Sequence, residues 1–238
     1  EMGYHGSLRP RKEPGRRFTL GILIPDRYLD TTETFYLHLY QEVAQQAPQM
    51  NCRVLMETLE DARARLGEMP QLMTDYHTDG LILLGKPPYD YAARMRNLWH
   101  KPVVYLDFSA PGADMDAVLS NNVYGAAALT EYLIDRGHRS IGFLGTLNVT
   151  DSINDRYLGY CRAMIRNRLP LRPEWRVDDR DAGSGNVFDI ALPREMPTAF
   201  VCNCDMTALR LIDALSKKGL RVPEDVSVVG LDDYLPHG

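Results

Sequence analysis

The sequence predicts an α/β fold made of two doubly wound, parallel-sheet lobes, with a ligand cleft bordered by the carboxyl ends of both sheets. Three observations carry this. From Thr19 onward, short apolar runs alternate with longer amphipathic segments, the pattern of strand and helix in turn. The pattern restarts after the small-residue loop SAPGADMD, 109–116, so there are two units rather than one. Neither unit carries G-x-G-x-x-G or G-x-x-x-x-G-K-[ST], which argues against nucleotide-dependent chemistry and leaves the cleft as the binding place.

The first unit opens with TLGILIPD, 19–26, as a strand. Residues 31–47 place Phe35, Leu39, Val43 and Ala47 on one helical stripe, with threonines at its start available as caps. A strand at 53–59, a helix at 61–76, a buried strand at 80–85, a helix at 89–99 and a strand at 102–108 complete it. AVLSNN, 117–122, leads into the second unit, where 123–136 is a helix stopped by Gly137, a good left-handed cap. Then follow strand 140–146, helix 151–168, short strand 176–179, helix 185–192, strand 198–204, a helix at 206–219 capped by Asp205 and Gly219, and strand 226–232.

The 238 residues hold 27 Lys and Arg against 32 Asp and Glu, a net charge of −5, which does not suit a chain that as a whole coats nucleic acid or an acidic membrane. The exception is 7–17, where Arg9, Arg11, Lys12, Arg16 and Arg17 face only Glu13; a solvated linker and a phosphate-facing tether both fit it. Cys52, Cys161, Cys202 and Cys204 lack zinc-site spacing. Cys202 and Cys204 share a strand face with Cα atoms roughly 6.5 Å apart and parallel side chains, a poor bridge, so reduced cytosolic thiols are expected. No window reaches the apolar length of a membrane span, and the basic amino terminus has no signal-peptide stretch.

Four phrases, DRGHRSIGFLG (135–145), DRYLGYCRAM (155–164), PTAFVCNCD (197–205) and KGLRVPEDVSVVGLDD (218–233), together resemble the effector-binding core of LacI/GalR-family transcriptional regulators. The resemblance runs over about 19–238 and implies a fold like the type I periplasmic binding proteins. In that family the chain continues past the strand at 226–232 to a final strand and helix, so the second lobe is expected to be truncated at the C-terminus. EMGYHGS, 1–7, resembles the last turn of the family's helix-turn-helix headpiece, which is otherwise absent. The prolines after Ser7 replace the usual hinge-helix phrase and speak against minor-groove insertion by Leu8. The implied division is 1–18 for the end of the headpiece and a basic linker, 19–117 for the N-terminal lobe, and 118–238 for the C-terminal lobe.

The resemblance further implies effector contacts from Phe35, Tyr36 and Asp107 in the first lobe and from Ser152, Arg156 and Asp232 in the second. An aromatic platform with an arginine and carboxylates suits a polyhydroxylated ring. A duller role competes at each position. Phe35 lies on the packing stripe, Asp107 and Asp232 fit loop or helix caps, and Arg156 could pair with Asp151 or Asp155 on its own helix. Cys204 followed by Asp205 stands where the family has Asn-Asp, and Arg180 stands where many members carry an aromatic lid. These departures point to a more anionic effector, a sugar phosphate or acid, held by Arg156 and Arg180. His138 is expected to make a structural contact. No catalytic constellation, metal site or cofactor is expected.

The resemblance thus implies the effector-sensing and dimerisation domain of a cytoplasmic repressor. It would be a homodimer without membrane contact, binding a sugar or sugar phosphate and acting on operator DNA through the headpiece. The alternative is the extracytoplasmic sugar-binding protein of a transporter, which would share the architecture.

Overall fold

A computed structural model of the chain describes residues 16–29, 35–74, 77–87, 91–110, 115–183 and 185–235. The leader with Leu8 and the threonines at 31, 32 and 34 lie outside them. The chain divides into two compact units, with Tyr36–Tyr105 in the first and Ala117–Gly238 in the second; Phe35 and Leu106–Pro111 also group with the second.

In the first unit β1 (Phe18–Pro25) pairs in parallel with β2 (Cys52–Leu59) on one side and β3 (Gly80–Leu84) on the other. With β4 (Val103–Leu106) and β5 (Asp116–Val118) the sheet order is β2-β1-β3-β4-β5. Ile22, Leu23 and Ile24 are consecutive and at most 1% exposed, so β1 is covered on both faces, as a strand flanked by helical crossovers must be. Those crossovers include α1 (Phe35–Gln46) and α4 (Tyr91–Leu98). The single helix expected at 61–76 is instead α2 (Asp61–Leu66) and α3 (Gln71–Thr74). Gly67 ends α2 in the left-handed region at φ 74°, and the Glu57 carboxylate of β2 accepts the Gln71 and Leu72 amides at 3.0 and 2.8 Å, starting a new helix just after Pro70. Arg16, the described end of the basic stretch, meets Asp79 at 2.6 Å on the surface.

The second unit has four parallel strands, β6 (Ile141–Leu144), β7 (Arg176–Val177), β8 (Ala199–Cys202) and β9 (Ser227–Val229), in the order β7-β6-β8-β9. Strand alternation explains its two cores. Ala199 and Val201 join Phe143 and Ile141 in one cluster with Leu133 and Ile134 of α5 (Asn122–Asp135) and Tyr160 and Met164 of α6 (Asp151–Arg166). Phe200 and Cys202 join Leu144 in the other, with Leu211 and Leu215 of α7 (Asp205–Lys217). α5 and α6 touch closely because residue 159 is glycine: a Cβ there would lie 2.2 Å from the Val123 carbonyl oxygen.

The helix ends are set locally. Asn121 caps α5 by accepting the Tyr124 amide at 3.2 Å, and Thr150 caps α6 through the Ile153 amide at 3.2 Å. At Gly137 and Gly219 the two amides after each helix bond back two and three carbonyls inside it, the expected left-handed stops. Asp205, however, is the first residue of α7 and not its cap; Cys204 holds that position, and its side chain does not cap the helix amides. The helix expected at 185–192 is not formed. Gly185 sits at φ 76°, Asp181 N–H reaches Asn186 O at 2.8 Å, and Val187 bridges antiparallel to Arg180, so the backbone groups a helix would use are spent on a hairpin-like return.

One buried carboxylate pins that return. Asp179 is 0% exposed; its Oδ1 accepts the Thr146 amide at 3.0 Å, and its Oδ2 accepts Arg180 Nε and Nη2 at 2.9 and 2.8 Å and Thr207 Oγ1 at 3.2 Å. Burial alone pushes this carboxyl up, but the Arg180 guanidinium and the Thr146 donors outweigh it, and the group lies below its ordinary range.

Two outcomes follow. Gly159→Ala forces a methyl into the α5–α6 contact and costs about 1–3 kcal/mol, read from the urea midpoint. Because the folded value of Asp179 is depressed, its contribution is present above the unfolded carboxylate value near pH 4 and is lost as pH falls through the folded value; Asp179→Asn costs about 3 kcal/mol at pH 7, read as a lower urea midpoint, and flattens the acid dependence of stability.

Candidate functional site

The second sheet reverses its strand order between β6 and β8, and ligands of doubly wound sheets bind beyond the carboxyl ends at such a point. Polar side chains follow all four strands here: Thr146 after β6, Asp179 after β7, Asn203 after β8 and Asp232 after β9.

Arg156 organises this edge. It lies on α6, 6% exposed, held by the helix whose first turn Thr150 fixes. Its Nε donates to Asn122 Oδ1 at 2.8 Å, Nη1 to the Asn203 carbonyl and to Asp232 Oδ2 at 3.2 Å, and Nη2 to Asp232 Oδ1 at 2.6 Å. A guanidinium this deep must be paired, and the two-pronged carboxylate contact is its strongest available partner. The pairing with Asp151 or Asp155 considered from sequence is therefore replaced by one across 76 residues of chain.

Asp232 itself is at φ 101° and Asp233 at φ 49°, backbone positions that cost of order 1–3 kcal/mol for a residue with a side chain and that persist only where other contacts hold them. Two contacts do so. Arg156 holds the Asp232 carboxylate, and Asp205 at the start of α7 accepts the Tyr234 amide at 2.9 Å while its own amide donates to Leu231 O at 2.9 Å. Burial pushes the Asp205 carboxyl up, and Asp232 and Asp233 add to this against the Tyr234 amide.

The remaining expected residues are spread more widely. Ser152 Oγ meets Thr150 Oγ1 at 2.8 Å within the α6 cap. Cys204 Sγ lies 3.2 Å from Thr207 Oγ1, one turn into α7. Arg180 belongs to the Asp179 node and is not among the groups that Arg156 gathers. Asp107, just past β4, is at φ 65° and donates its amide to Val118 O at 2.9 Å, a loop role like the one weighed against ligand contact. Phe35 meets the Tyr234 ring edge-on with centroids 5.9 Å apart. His138 Nδ1 lies 2.9 Å from Thr198 Oγ1, the structural contact expected of it.

Tyr36 belongs to the first unit, where its ring lies against that of Tyr28, tilted by 31° with centroids 4.3 Å apart. This pair covers Gly85 at the end of β3: a Cβ there would sit 2.6 Å from the Tyr28 ring. Arg27 lies over the same ring at 5.0 Å and donates to the Lys86 carbonyl. The first sheet also reverses order between β1 and β3, so this aromatic pair stands at its switch point too.

Sequence reasoning missed Tyr28, Asn122, Thr146, Asp179, Asn203 and Thr207. Position supplied a signal for some of them, since Tyr28, Thr146 and Asn203 each closely follow a central strand. Among the described residues no group of three or more His, Cys, Asp or Glu could hold a metal ion, and no helix is long and apolar enough to cross a membrane.

Comparison with known proteins finds relatives over most of the chain. Residues 130–237 match the periplasmic binding protein-like domain. The HTH-type transcriptional repressor PurR of Glaesserella parasuis is 28% identical over 75% of this chain and 53% of its own length. The ribose operon repressor of Haemophilus influenzae is 28% identical over 90% of this chain and 64% of its own. The chain thus spans between about half and two thirds of these relatives. Among solved structures, a candidate ribose operon repressor from Burkholderia thailandensis superposes with a TM-score of 0.73 at 27% identity, covering 92% of this chain and 81% of that one. A LacI-family regulatory protein from Chloroflexus aggregans, 22% identical over 91% of this chain and 79% of that one, shares the fold with a TM-score of 0.71. With its parallel sheets, its acid-tipped last strand and these relatives, the chain has the periplasmic-binding-protein-like fold and is similar to the effector-binding cores of LacI/GalR-type regulators.

Proposed function

We propose that this core senses a small polar effector, a sugar or sugar derivative, for a cytoplasmic transcriptional repressor, and that it does so at the carboxyl edge where Arg156 and Asp232 meet. The observation that carries the reading is that pair. A buried guanidinium and a carboxylate on strained backbone are held in one geometry before any ligand arrives, which lowers the ordering cost of binding hydroxyls there. The matched relatives are repressors, which favours a regulator over a transporter's binding protein. Operator DNA would be contacted through a headpiece, with effector binding shifting the balance between arrangements of the core that differ in effector affinity. Homodimerisation is supported by α7, which buries Ala208, Leu211 and Leu215 inside the unit while Leu209 and Ile212 stay 44% and 37% exposed.

A thermal-shift series with D-ribose, D-ribose 5-phosphate and the common nucleobases tests the reading, since a ligand at a hundred times its Kd adds about 2.7 kcal/mol to stability. At least one member raises the melting temperature of the unaltered chain, and Asp232→Asn, which leaves Arg156 without its anion, loses that shift as well as about 3 kcal/mol of stability. A retained shift in Asp232→Asn places the effector elsewhere. Sedimentation across a concentration series checks the dimer: Leu209→Asp moves the equilibrium to monomer if α7 is shared.

A further inference from the structure

Asn203 is 1% exposed, and among the described residues neither its Nδ2 nor its Oδ1 has a hydrogen-bond partner. Its backbone is fully used, the amide on Leu144 O at 2.8 Å and the carbonyl on Arg156. Buried polar groups are nearly always paired, so a carboxamide left with both ends open marks a partner that the polypeptide does not supply. Its place is specific. It follows β8, on the side where β6 and β8 part, and a Cβ on Gly145 would lie 2.9 Å from Asn203 Cβ and 3.1 Å from Nδ2; the carboxamide therefore rests on bare backbone at the switch point of the sheet.

The cations around it are already engaged. On one side Asp179 takes Arg180 by two nitrogens, with Arg210 3.9 Å from the same carboxylate and donating to the Asp179 and Phe188 carbonyls; on the other Asp232 takes Arg156 by two. The further acids Asp205 and Asp233 stand at the Asp232 side. An incoming phosphate would have to break one of these pairs and face the remaining carboxylates. An uncharged molecule would not, and it could donate to the carboxylate oxygens.

Building on the effector site proposed above, we infer that Asn203 is its specificity residue: the carboxamide reads an uncharged ligand that presents a hydrogen-bond donor beside an acceptor, as neighbouring hydroxyls or a nucleobase edge do. Both amide atoms are shut from solvent in the arrangement described, so engagement moves the carboxamide or what covers it. Arg156 and Arg180 then act as positioning residues that hold acceptors in place, and the anionic effector expected from sequence is excluded rather than bound.

The test is calorimetry on the full chain with D-ribose, adenine, uracil and D-ribose 5-phosphate, comparing the unaltered protein with Asn203→Leu and Asn203→Asp. The expected result is binding of an uncharged probe, at least tenfold tighter than ribose 5-phosphate, that falls at least tenfold in Asn203→Leu while the urea midpoint of that variant is unchanged or higher. A lower midpoint with lost binding would fit a structural role, and Asn203→Asp, equal in shape, then decides: retained affinity overturns the inference and a tenfold loss with a normal midpoint upholds it. Affinity kept within twofold in Asn203→Leu means an internal water satisfies the amide, and the inference fails. Tighter binding of ribose 5-phosphate also overturns it. If Asp232→Asn abolishes binding while both Asn203 variants keep it, this inference falls and the effector site stands; if no probe binds the unaltered chain, both fall.

Discussion

The buried guanidinium of Arg156 is the contact on which the second unit's edge depends. It receives Asn122 from the start of α5, the Asn203 carbonyl from the end of β8 and the Asp232 carboxylate from beyond β9, while standing on α6. One side chain therefore ties four elements that are far apart in sequence. The physical reason is desolvation: a cation 6% exposed is tolerable only when its donors are met, and meeting them fixes the elements that carry the acceptors. The left-handed backbone of Asp232 and Asp233 is stable only inside this arrangement, which makes the loop after β9 a dependent feature and not an autonomous turn.

The Asp179 node repeats the logic with the signs exchanged. There a carboxylate is buried and gathers Thr146, Arg180 and Thr207. Between the two nodes the sheet's carboxyl edge is polar, and its cations are already engaged by carboxylates and carbonyls. Arg180, which the sequence offered as an anion ligand, is placed by its neighbour in the chain: the adjacent Asp179 takes both its Nε and Nη2.

Local chemistry decided much of the architecture. Gly137 and Gly219 after amphipathic stretches, Thr150 before Asp151, and apolar runs such as GLILLG specify where helices stop and start and which strands are buried, because these effects act over a few residues. Where the local signals were weak or divided, neighbours decided. Glu57 reached from β2 to start α3 and broke a helix that periodicity ran together, and the pairing of Arg180 with Val187 drew 185–192 out of the helix its composition allowed.

The sequence by itself determined the alternating α/β order, the two-unit grammar and the wording that resembles LacI/GalR regulators, and it named Arg156, Asp205 and Asp232 as residues of interest. Only the tertiary structure decided that Arg156 and Asp232 are a pair, that Arg180 answers to Asp179, and that the Asn203 carboxamide has no hydrogen-bond partner among the described residues. The reason is range: helix caps and strand alternation are set by residues within a turn or two, whereas the partner of a buried charge or amide depends on which strand ends the sheet order brings side by side.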